Sequence, residues 1–133
     1  MPTATGSFTV DSFDATPLDG DGGLLARIEI TKTFSGGLTG ASTVYMTSAR
    51  TTVDDSAGYV AIERVVGVVD DLDGTFVLQH VGVSDRGVQS LTMTVVPDSG
   101  TGSLVGISGE IAIVADLPGG HEYAFTYALP VGL

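Results

Sequence analysis

The chain has 133 residues, is 43% hydrophobic, and carries 5 Lys and Arg residues against 16 Asp and Glu residues, for a net charge of -11. This length predicts one domain with its own core, and the recurrence of valine, isoleucine and leucine excludes a disordered chain. A chain this acidic repels nucleic-acid phosphates and anionic membrane surfaces, so we expect neither as a partner.

The first residues lack the charged and apolar regions of a secretory signal, and no apolar run approaches the roughly 20 residues that span a bilayer, so we expect a cytoplasmic location. The sequence contains no cysteine. Disulfides, thiolate catalysis and zinc–sulfur sites are therefore excluded. The two histidines, His80 and His121, are few for a transition-metal site, and no metal or cofactor is expected.

Short runs of alternating apolar and polar residues, separated by clusters of Gly, Asp, Ser and Pro, indicate an all-β domain. Eight strands are predicted, at about residues 5–13, 24–35, 40–51, 57–69, 75–85, 87–96, 103–115 and 121–129. The connectors are short except for the stretch Asp14–Gly23. Successive hairpins favour an antiparallel meander, which removes its exposed edges by closing into an eight-stranded barrel. The interior of such a barrel is filled by side chains or holds one small ligand.

Several predicted strands show which face is inward, because successive side chains point to opposite faces and apolar ones turn to the interior. In the second strand, the apolar face carries Ile28, Ile30, Lys32 and Phe34. In the sixth and eighth strands, it carries Leu91, Met93 and Val95, and Tyr123, Phe125, Tyr127 and Leu129.

The stretch GTFVLQH ends with Gln79 and His80 side by side, so only one of them can face the interior. The loop before this strand decides which one. An odd-membered loop with a left-handed glycine puts Arg64 on the face of His80, whereas a four-residue loop puts Glu63 there.

The character of the side chains favours the four-residue loop. One face then mixes aromatic with small residues, as a tapered interior with open room requires. Its members are Tyr59, Ala61, Glu63, Val65, Gly67, Phe76, Leu78 and His80. The opposite face is almost uniformly β-branched, which is typical of an outer strand surface. This register predicts that Glu63 and His80 lie inside the barrel within reach of each other and that Gln79 points outward.

Glu63 and His80 are the candidate catalytic residues, because a carboxylate beside an imidazole in an apolar cavity can transfer protons. The alternative is a buried hydrogen-bonded pair that only fixes the strand register. Lys32, the one lysine of the sequence, is a candidate to bind a carboxylate ligand or to form a Schiff base. It can instead reach the barrel rim or pair with Glu63 or Glu110.

The other candidate ligand contacts are inward-facing apolar and aromatic side chains. They are Tyr59, Phe76, Leu78, Met93 and Tyr127. For the tyrosines, ordinary core packing is the alternative. No Ser–His–acid spacing supports nucleophilic hydrolysis.

Two further patterns are interpreted as structural. The glycines Gly100, Gly102 and Gly106 lack the strand–helix unit of a dinucleotide site, and we expect them to bend a strand at a barrel corner. The clusters Asp19/Asp21 and Asp70/Asp71/Asp73 resemble pieces of calcium loops without the EF-hand spacing or its terminal Glu. We expect them to be solvated turns.

Four motifs appear in order along nearly the whole chain: ITKTFSGGLTGAST (Ile30–Thr43), GYVAIERVVG (Gly58–Gly67), GTFVLQHVG (Gly74–Gly82) and VVPDSGTGSLVGISGE (Val95–Glu110). Together they resemble a family of short bacterial proteins of unknown function, with a barrel similar to allene oxide cyclase. The segment SGTGSLVGISG alone is similar to the wider group of allene oxide cyclase and dirigent barrels. The resemblance implies a closed antiparallel barrel, often oligomeric, with relatives that include cyclases of apolar intermediates. It transfers no catalytic residue.

Two classes of function remain open. The first is a cofactor-free cyclase or isomerase of an apolar biosynthetic intermediate, shaped by the barrel and assisted by Glu63, His80, Lys32 or Tyr59. The second is a carrier or sensor that binds a small apolar molecule without changing it. A third possibility is a solidly packed barrel that serves only as a structural or interaction module.

The outward face of the fourth and fifth strands is too apolar for a wall that faces water. Its members are Val60, Ile62, Val66, Val68, Val77 and Val81, with Arg64 and Gln79 among them. Contiguous apolar patches of this kind usually mark an interface. We therefore expect a homo-oligomer, most simply a two-fold dimer joined through this wall.

Overall fold

The structure is a computed structural model that describes residues 1–18, 20 and 24–130. Eight antiparallel strands pair in chain order, and the eighth pairs with the first to close a barrel. They are β1 (Thr3–Pro17), β2 (Leu25–Gly36), β3 (Leu38–Arg50), β4 (Ala57–Val69), β5 (Leu72–Asp85), β6 (Val88–Val95), β7 (Ser108–Leu117) and β8 (Gly120–Ala128). The predicted all-β class, strand number and meander order are confirmed. Within the described ranges, no helix has the length and apolar character needed to cross a membrane.

Two segments differ from the sequence-based prediction. β1 continues to Pro17 and pairs there with β2, so the first part of the predicted long connector is strand. Asp19 and Asp21 lie outside the described residues. The predicted seventh strand begins only at Ser108, because residues Gly102–Leu104 form a 3-10 turn. Gly102 and Gly106 have φ angles of 61° and 81°, which an extended strand does not allow.

The β4–β5 hairpin has the register that puts Glu63 and His80 on the same inner face, since Ala61 pairs with His80. This prediction is confirmed, although the turn is shorter than either loop considered. It consists of Asp70 and Asp71, whose φ angles are 44° and 73°. Two residues of positive φ are typical of a type I′ turn, which matches the twist of the flanking strands. Two-residue and four-residue loops both contain an even number of residues, so they place the same residues of β4 and β5 on the inner face. The inner face is therefore predicted correctly, although the predicted loop length is wrong.

The half of the barrel nearest this turn is packed solid. Buried apolar side chains from β1 to β6 and from β8 fill it, among them Ala4, Phe34, Leu38, Val65, Val69, Phe76, Leu78, Val95, Tyr123, Phe125 and Tyr127. Leu104 of the 3-10 turn is fully buried and closes this end. The turn approaches β5 closely at Gly74, where a Cβ atom would lie 2.0 Å from the carbonyl oxygen of Thr101. Any space for a ligand inside the barrel therefore lies toward the opposite end.

The opposite half opens along the seam between β6 and β7. In the described part of the chain, Thr94 and Glu110 are the one register pair that joins these two strands. Every other neighbouring pair of strands is joined over at least seven residues. The separated stretches of β6 and β7 leave room inside this half of the barrel.

Candidate functional site

Four polar side chains meet inside the barrel, between the packed half and the open half. Oε1 of Glu63 accepts a hydrogen bond from Nζ of Lys32 at 3.2 Å and lies 2.7 Å from Nε2 of His80. Oε2 of Glu63 accepts a hydrogen bond from Oγ of Ser42 at 2.5 Å. The exposed fractions are 7% for Lys32, 6% for Ser42, 0% for Glu63 and 3% for His80. Glu63 thus contacts each of the other three polar groups while it is itself completely buried.

The register of four consecutive strands, β2 to β5, brings this cluster together. Lys32 and Ser42 are direct partners across β2 and β3. On β4, Glu63 lies two residues from Val65, the residue directly opposite Ser42. On β5, His80 lies two residues from Leu78, the residue directly opposite Glu63. Inward side chains at such diagonal positions remain within reach of one another when they are long. The cluster is therefore a consequence of strand pairing and needs no loop to position it.

The electrostatics of the cluster keep Glu63 ionised. Burial is the largest single influence and raises the pKa of Glu63. The hydrogen bond from His80, the charge of Lys32 and the hydrogen bond from Ser42 together outweigh it, so the pKa lies below its ordinary value of 4.5. The Lys32 ammonium also lies 4.4 Å from the centre of the Phe8 ring, close enough for cation–π attraction. The barrel thus holds a compensated pair of charges in its interior.

His80 has one ring nitrogen engaged and one that a bound molecule can reach. Because Glu63 is ionised, a neutral His80 carries its proton on Nε2 and donates it to Glu63. Nδ1 then holds a lone pair and has no hydrogen-bond partner among the described residues. In those residues, every fully buried side-chain nitrogen or oxygen has a hydrogen-bond partner. Because Nδ1 has none, it is not fully buried. Beside it, the Tyr59 ring lies 6.4 Å from the imidazole, centre to centre.

A cavity of about 700 Å³ occupies the open half above this cluster. Its wall is mostly apolar and includes Phe8, Val10, Ile30, Val44, Met46, Tyr59, Leu91, Met93, Ile111 and Ile113. Lys32 and His80 provide polar atoms at the buried floor, and exposed residues such as Leu91 and Val114 mark the mouth. Ligand pockets in proteins typically measure about 300–1,000 Å³ and combine apolar walls with a few placed polar groups.

The predicted catalytic pair occupies the predicted place. Glu63 and His80 lie inside the barrel in hydrogen-bonding contact, which confirms the geometric prediction. Their catalytic role stays a prediction. Glu63 is enclosed and does not line the cavity, whereas His80 does, so a bound molecule would contact His80 and not Glu63.

Three of the six predicted ligand contacts, Lys32, Tyr59 and Met93, line the cavity. Lys32 pairs with Glu63, one of its two candidate partners. The other candidate, Glu110, is exposed and takes no part in the cluster. The floor and part of the wall were thus identifiable from the sequence.

The other three predicted contacts, Phe76, Leu78 and Tyr127, do not line the cavity, and this part of the prediction is corrected. They face inward as expected but belong to the packed half of the barrel. Phe76 stacks on Phe125 at 5.5 Å between ring centres, and the Tyr127 hydroxyl donates a hydrogen bond to Asp70 at 2.6 Å. Alternation predicts the face on which a side chain lies but not its level along the barrel axis.

Several residues of the site were not among the candidates predicted from the sequence. Ser42 was detectable, because the alternation Ser42, Val44, Met46 places it on the inner face opposite Lys32. The pair His121–Asp116 at the mouth, with 2.9 Å between Nδ1 and Oδ1, was not. A register shift in β7 between Ile113 and Ala115 sets its position, and no sequence pattern indicates that bulge. In the described residues, no three His, Asp or Glu side chains form a group that could hold a metal ion.

The apolar outer wall is present as predicted. Five of its six members are exposed on β4 and β5: Val60, Ile62, Val66, Val68 and Val81, with exposed fractions from 37% to 57%. Val77 is partly exposed. The dimer expected from this wall stays a prediction.

The comparison with protein families matches residues 4–127 to a family described as a protein of unknown function, DUF3224. A crystal structure of a DUF3224 protein of unknown function from Shewanella oneidensis MR-1 is 41% identical to this chain, with a TM-score of 0.89 over 99% of each chain. None of the curated proteins is significantly similar. The resemblance to a family of unknown function is confirmed, and its likeness to allene oxide cyclase stays a prediction.

Proposed function

The chain belongs to the DUF3224 family of unknown function, and we propose that its barrel binds one small, largely apolar molecule in the cavity between the buried polar floor and the β6–β7 seam. The observation that carries this proposal is the combination of a cavity of about 700 Å³, an apolar wall and two polar groups at its base.

The alternative of a barrel that is only a structural module is less well supported. The half closed by Leu104 shows that this chain can fill a barrel with apolar side chains. In the other half, the buried pair Lys32–Glu63 replaces such packing. A buried ion pair is often no more stabilising than apolar residues of similar volume. Its presence beside an open cavity therefore favours a role in recognition or chemistry.

A titration with N-phenyl-1-naphthylamine, a neutral fluorophore that brightens in apolar surroundings, tests this proposal. Val44 is buried at the cavity wall, so Val44→Phe places a ring in the space that a ligand would fill. Val105 is 63% exposed and remote from the cavity lining, so Val105→Phe is a matched control with the same substitution.

We expect saturable binding with one site per chain, lost or at least tenfold weaker in Val44→Phe and unchanged in Val105→Phe. Circular dichroism of each variant establishes that the barrel is folded. Absence of binding to the wild type, or equal binding by both variants, would contradict the proposal.

A second candidate function is a cofactor-free isomerase or cyclase acting on the molecule in the cavity, in keeping with the resemblance to allene oxide cyclase barrels. The observation that favours it over a non-catalytic carrier or sensor is the ring of His80, which is hydrogen-bonded to Glu63 on one side and reachable from the cavity on the other. A base of this kind typically contributes about 10²–10⁴ in rate. A carrier needs no such base.

A further inference from the structure

The floor of the cavity presents a cation and a proton acceptor side by side. Lys32 and His80 both reach the same carboxylate oxygen, Oε1 of Glu63, and both line the cavity. We infer that the bound molecule is an apolar carbonyl compound with an acidic C–H group beside the carbonyl, and that the barrel catalyses its enolisation and the proton-shift isomerisation that follows. This inference rests on the proposed ligand site and names its substrate class.

Lys32 is placed to stabilise negative charge on the carbonyl oxygen. Its ammonium group has three donors, and Glu63 is its hydrogen-bond acceptor. A donor aimed into the cavity can therefore bind the oxygen of a substrate. Because Lys32 is 7% exposed and the cavity walls around it are mostly apolar, its interaction with an oxyanion is stronger than the same contact in water.

His80 is placed to act as the base, and Glu63 as the group that positions it. The Glu63 carboxylate holds the proton of a neutral His80 on Nε2, which leaves the Nδ1 lone pair for the cavity. The same carboxylate stabilises the imidazolium that forms when Nδ1 takes a proton. Glu63 does not touch the substrate in this arrangement, so it is a positioning residue.

The reaction balances without a co-reactant. Nδ1 of His80 takes the proton from the carbon next to the carbonyl group, and the electron pair of that C–H bond becomes a C=C bond. The π pair of the carbonyl group moves onto its oxygen, which Lys32 binds. A proton then returns from Nδ1 to the same carbon, or to the distal carbon of an unsaturated substrate, where it completes a shift of the double bond. In D₂O the proton held on Nδ1 exchanges with solvent through the open mouth of the cavity, so that a deuteron returns to the carbon.

Two related probes test this chemistry. The first is 2-tetralone, an apolar ketone with exchangeable C–H groups beside its carbonyl. Its uptake of deuterium from D₂O is followed by NMR with and without the protein. The second is 2-naphthol, a planar analogue of the enol of 2-tetralone, whose absorption moves to longer wavelength when its hydroxyl proton is transferred to a base.

We expect the wild-type protein to accelerate deuterium uptake and to shift the spectrum of bound 2-naphthol toward the ionised form. His80→Gln should lower the exchange rate by about 10²–10⁴ and remove the spectral shift. Lys32→Met should lower the rate by about 10²–10³, as for loss of an oxyanion donor. Thr92→Ala, on the exposed outer face of β6 next to Met93, should leave both measurements unchanged.

The role of Glu63 is tested by the ¹⁵N spectrum of His80, which distinguishes the two ring tautomers. We expect Nε2 to be protonated in the wild type and the population to move toward Nδ1-protonated imidazole in Glu63→Gln. An unchanged tautomer in that variant, if folded, would refute the positioning role.

The outcomes separate this inference from the proposed function. If 2-tetralone displaces N-phenyl-1-naphthylamine but exchanges no faster than in buffer, the inference fails and the ligand site stands. If the fluorophore does not bind at all, both fail. The spectrum of 2-naphthol bound to the wild type requires no variant to fold, and an unshifted spectrum would overturn the inference by itself.

Discussion

The buried Lys32–Glu63 pair gives a quantitative prediction for stability. In Glu63→Gln the shape of the side chain is kept and its charge is removed, which leaves the Lys32 ammonium buried without a counter-charge. Breaking a buried ion pair from one side costs about 3–5 kcal/mol. A domain of this size has a total free energy of unfolding of about 5–15 kcal/mol, so the loss should be large and easily measured.

The reverse change should cost less. In Lys32→Met the Glu63 carboxylate keeps its hydrogen bonds from Ser42 and His80, and we expect a loss of about 1–3 kcal/mol. The double variant Lys32→Met/Glu63→Gln contains neither charge. Its cost should therefore be smaller than the sum of the two single costs by about 1–3 kcal/mol.

Urea unfolding followed by far-ultraviolet circular dichroism measures the four members of this cycle. Arg27→Met is the matched control, because Arg27 lies on β2 like Lys32 but is exposed on the outer face and outside the apolar wall, where substitutions change stability by about 0.5 kcal/mol or less. Strictly additive costs would rule out a stabilising interaction between Lys32 and Glu63, as would a Glu63→Gln variant as stable as the control. The lowered pKa of Glu63 also predicts how stability depends on pH. The ionised carboxylate stabilises the folded state fully above its unfolded pKa, and this stabilisation is lost as the pH falls through the folded pKa.

Three further predictions follow from other parts of the barrel. Burial and the hydrogen bond to Asp70 raise the pKa of Tyr127 from 10.0 to about 12, so stability should fall as the pH rises from about 10 to about 12, and Tyr127→Phe should flatten this alkaline loss in urea titrations. A Cβ atom at Gly82 would lie 2.2 Å from Cε1 of Tyr59, so Gly82→Ala should displace that ring, cost about 1–3 kcal/mol and change the affinity for N-phenyl-1-naphthylamine; unchanged affinity and near-ultraviolet dichroism would contradict this. Ile62 is 46% exposed on the apolar outer wall, and we expect light scattering to show a dimer for the wild type and a monomer for Ile62→Asp; a monomeric wild type would rule the interface out.

The fold and the inner faces of its strands were predictable because local patterns decide them. Alternation along β2 places Lys32 inside, and the contrast between mixed and β-branched faces on β4 and β5 places Glu63 and His80 inside. These features depend on side chains within one hairpin or one strand. The wrong turn length did not change the predicted faces, because these depend only on whether the number of loop residues is even or odd.

The extent of the cavity was not predictable, because it depends on contacts between distant parts of the chain. Leu104 closes one end of the barrel and lies in a 3-10 turn, whereas the sequence pattern predicts that the seventh strand begins there. The other end is open because β6 and β7 separate beyond the pair Thr94–Glu110. These two features decide that Met93 reaches the cavity and Phe76 does not, although both face inward and belong to the same core cluster.

A crystal structure of the wild-type protein in complex with 2-naphthol would show where the ligand binds and which side chains hold its oxygen. We expect one molecule inside the open half of the barrel, with its oxygen about 2.6–3.2 Å from Nδ1 of His80 and within hydrogen-bonding distance of Nζ of Lys32. A molecule bound only to the outer wall, or one in the cavity with its oxygen at the mouth beside His121, would contradict it.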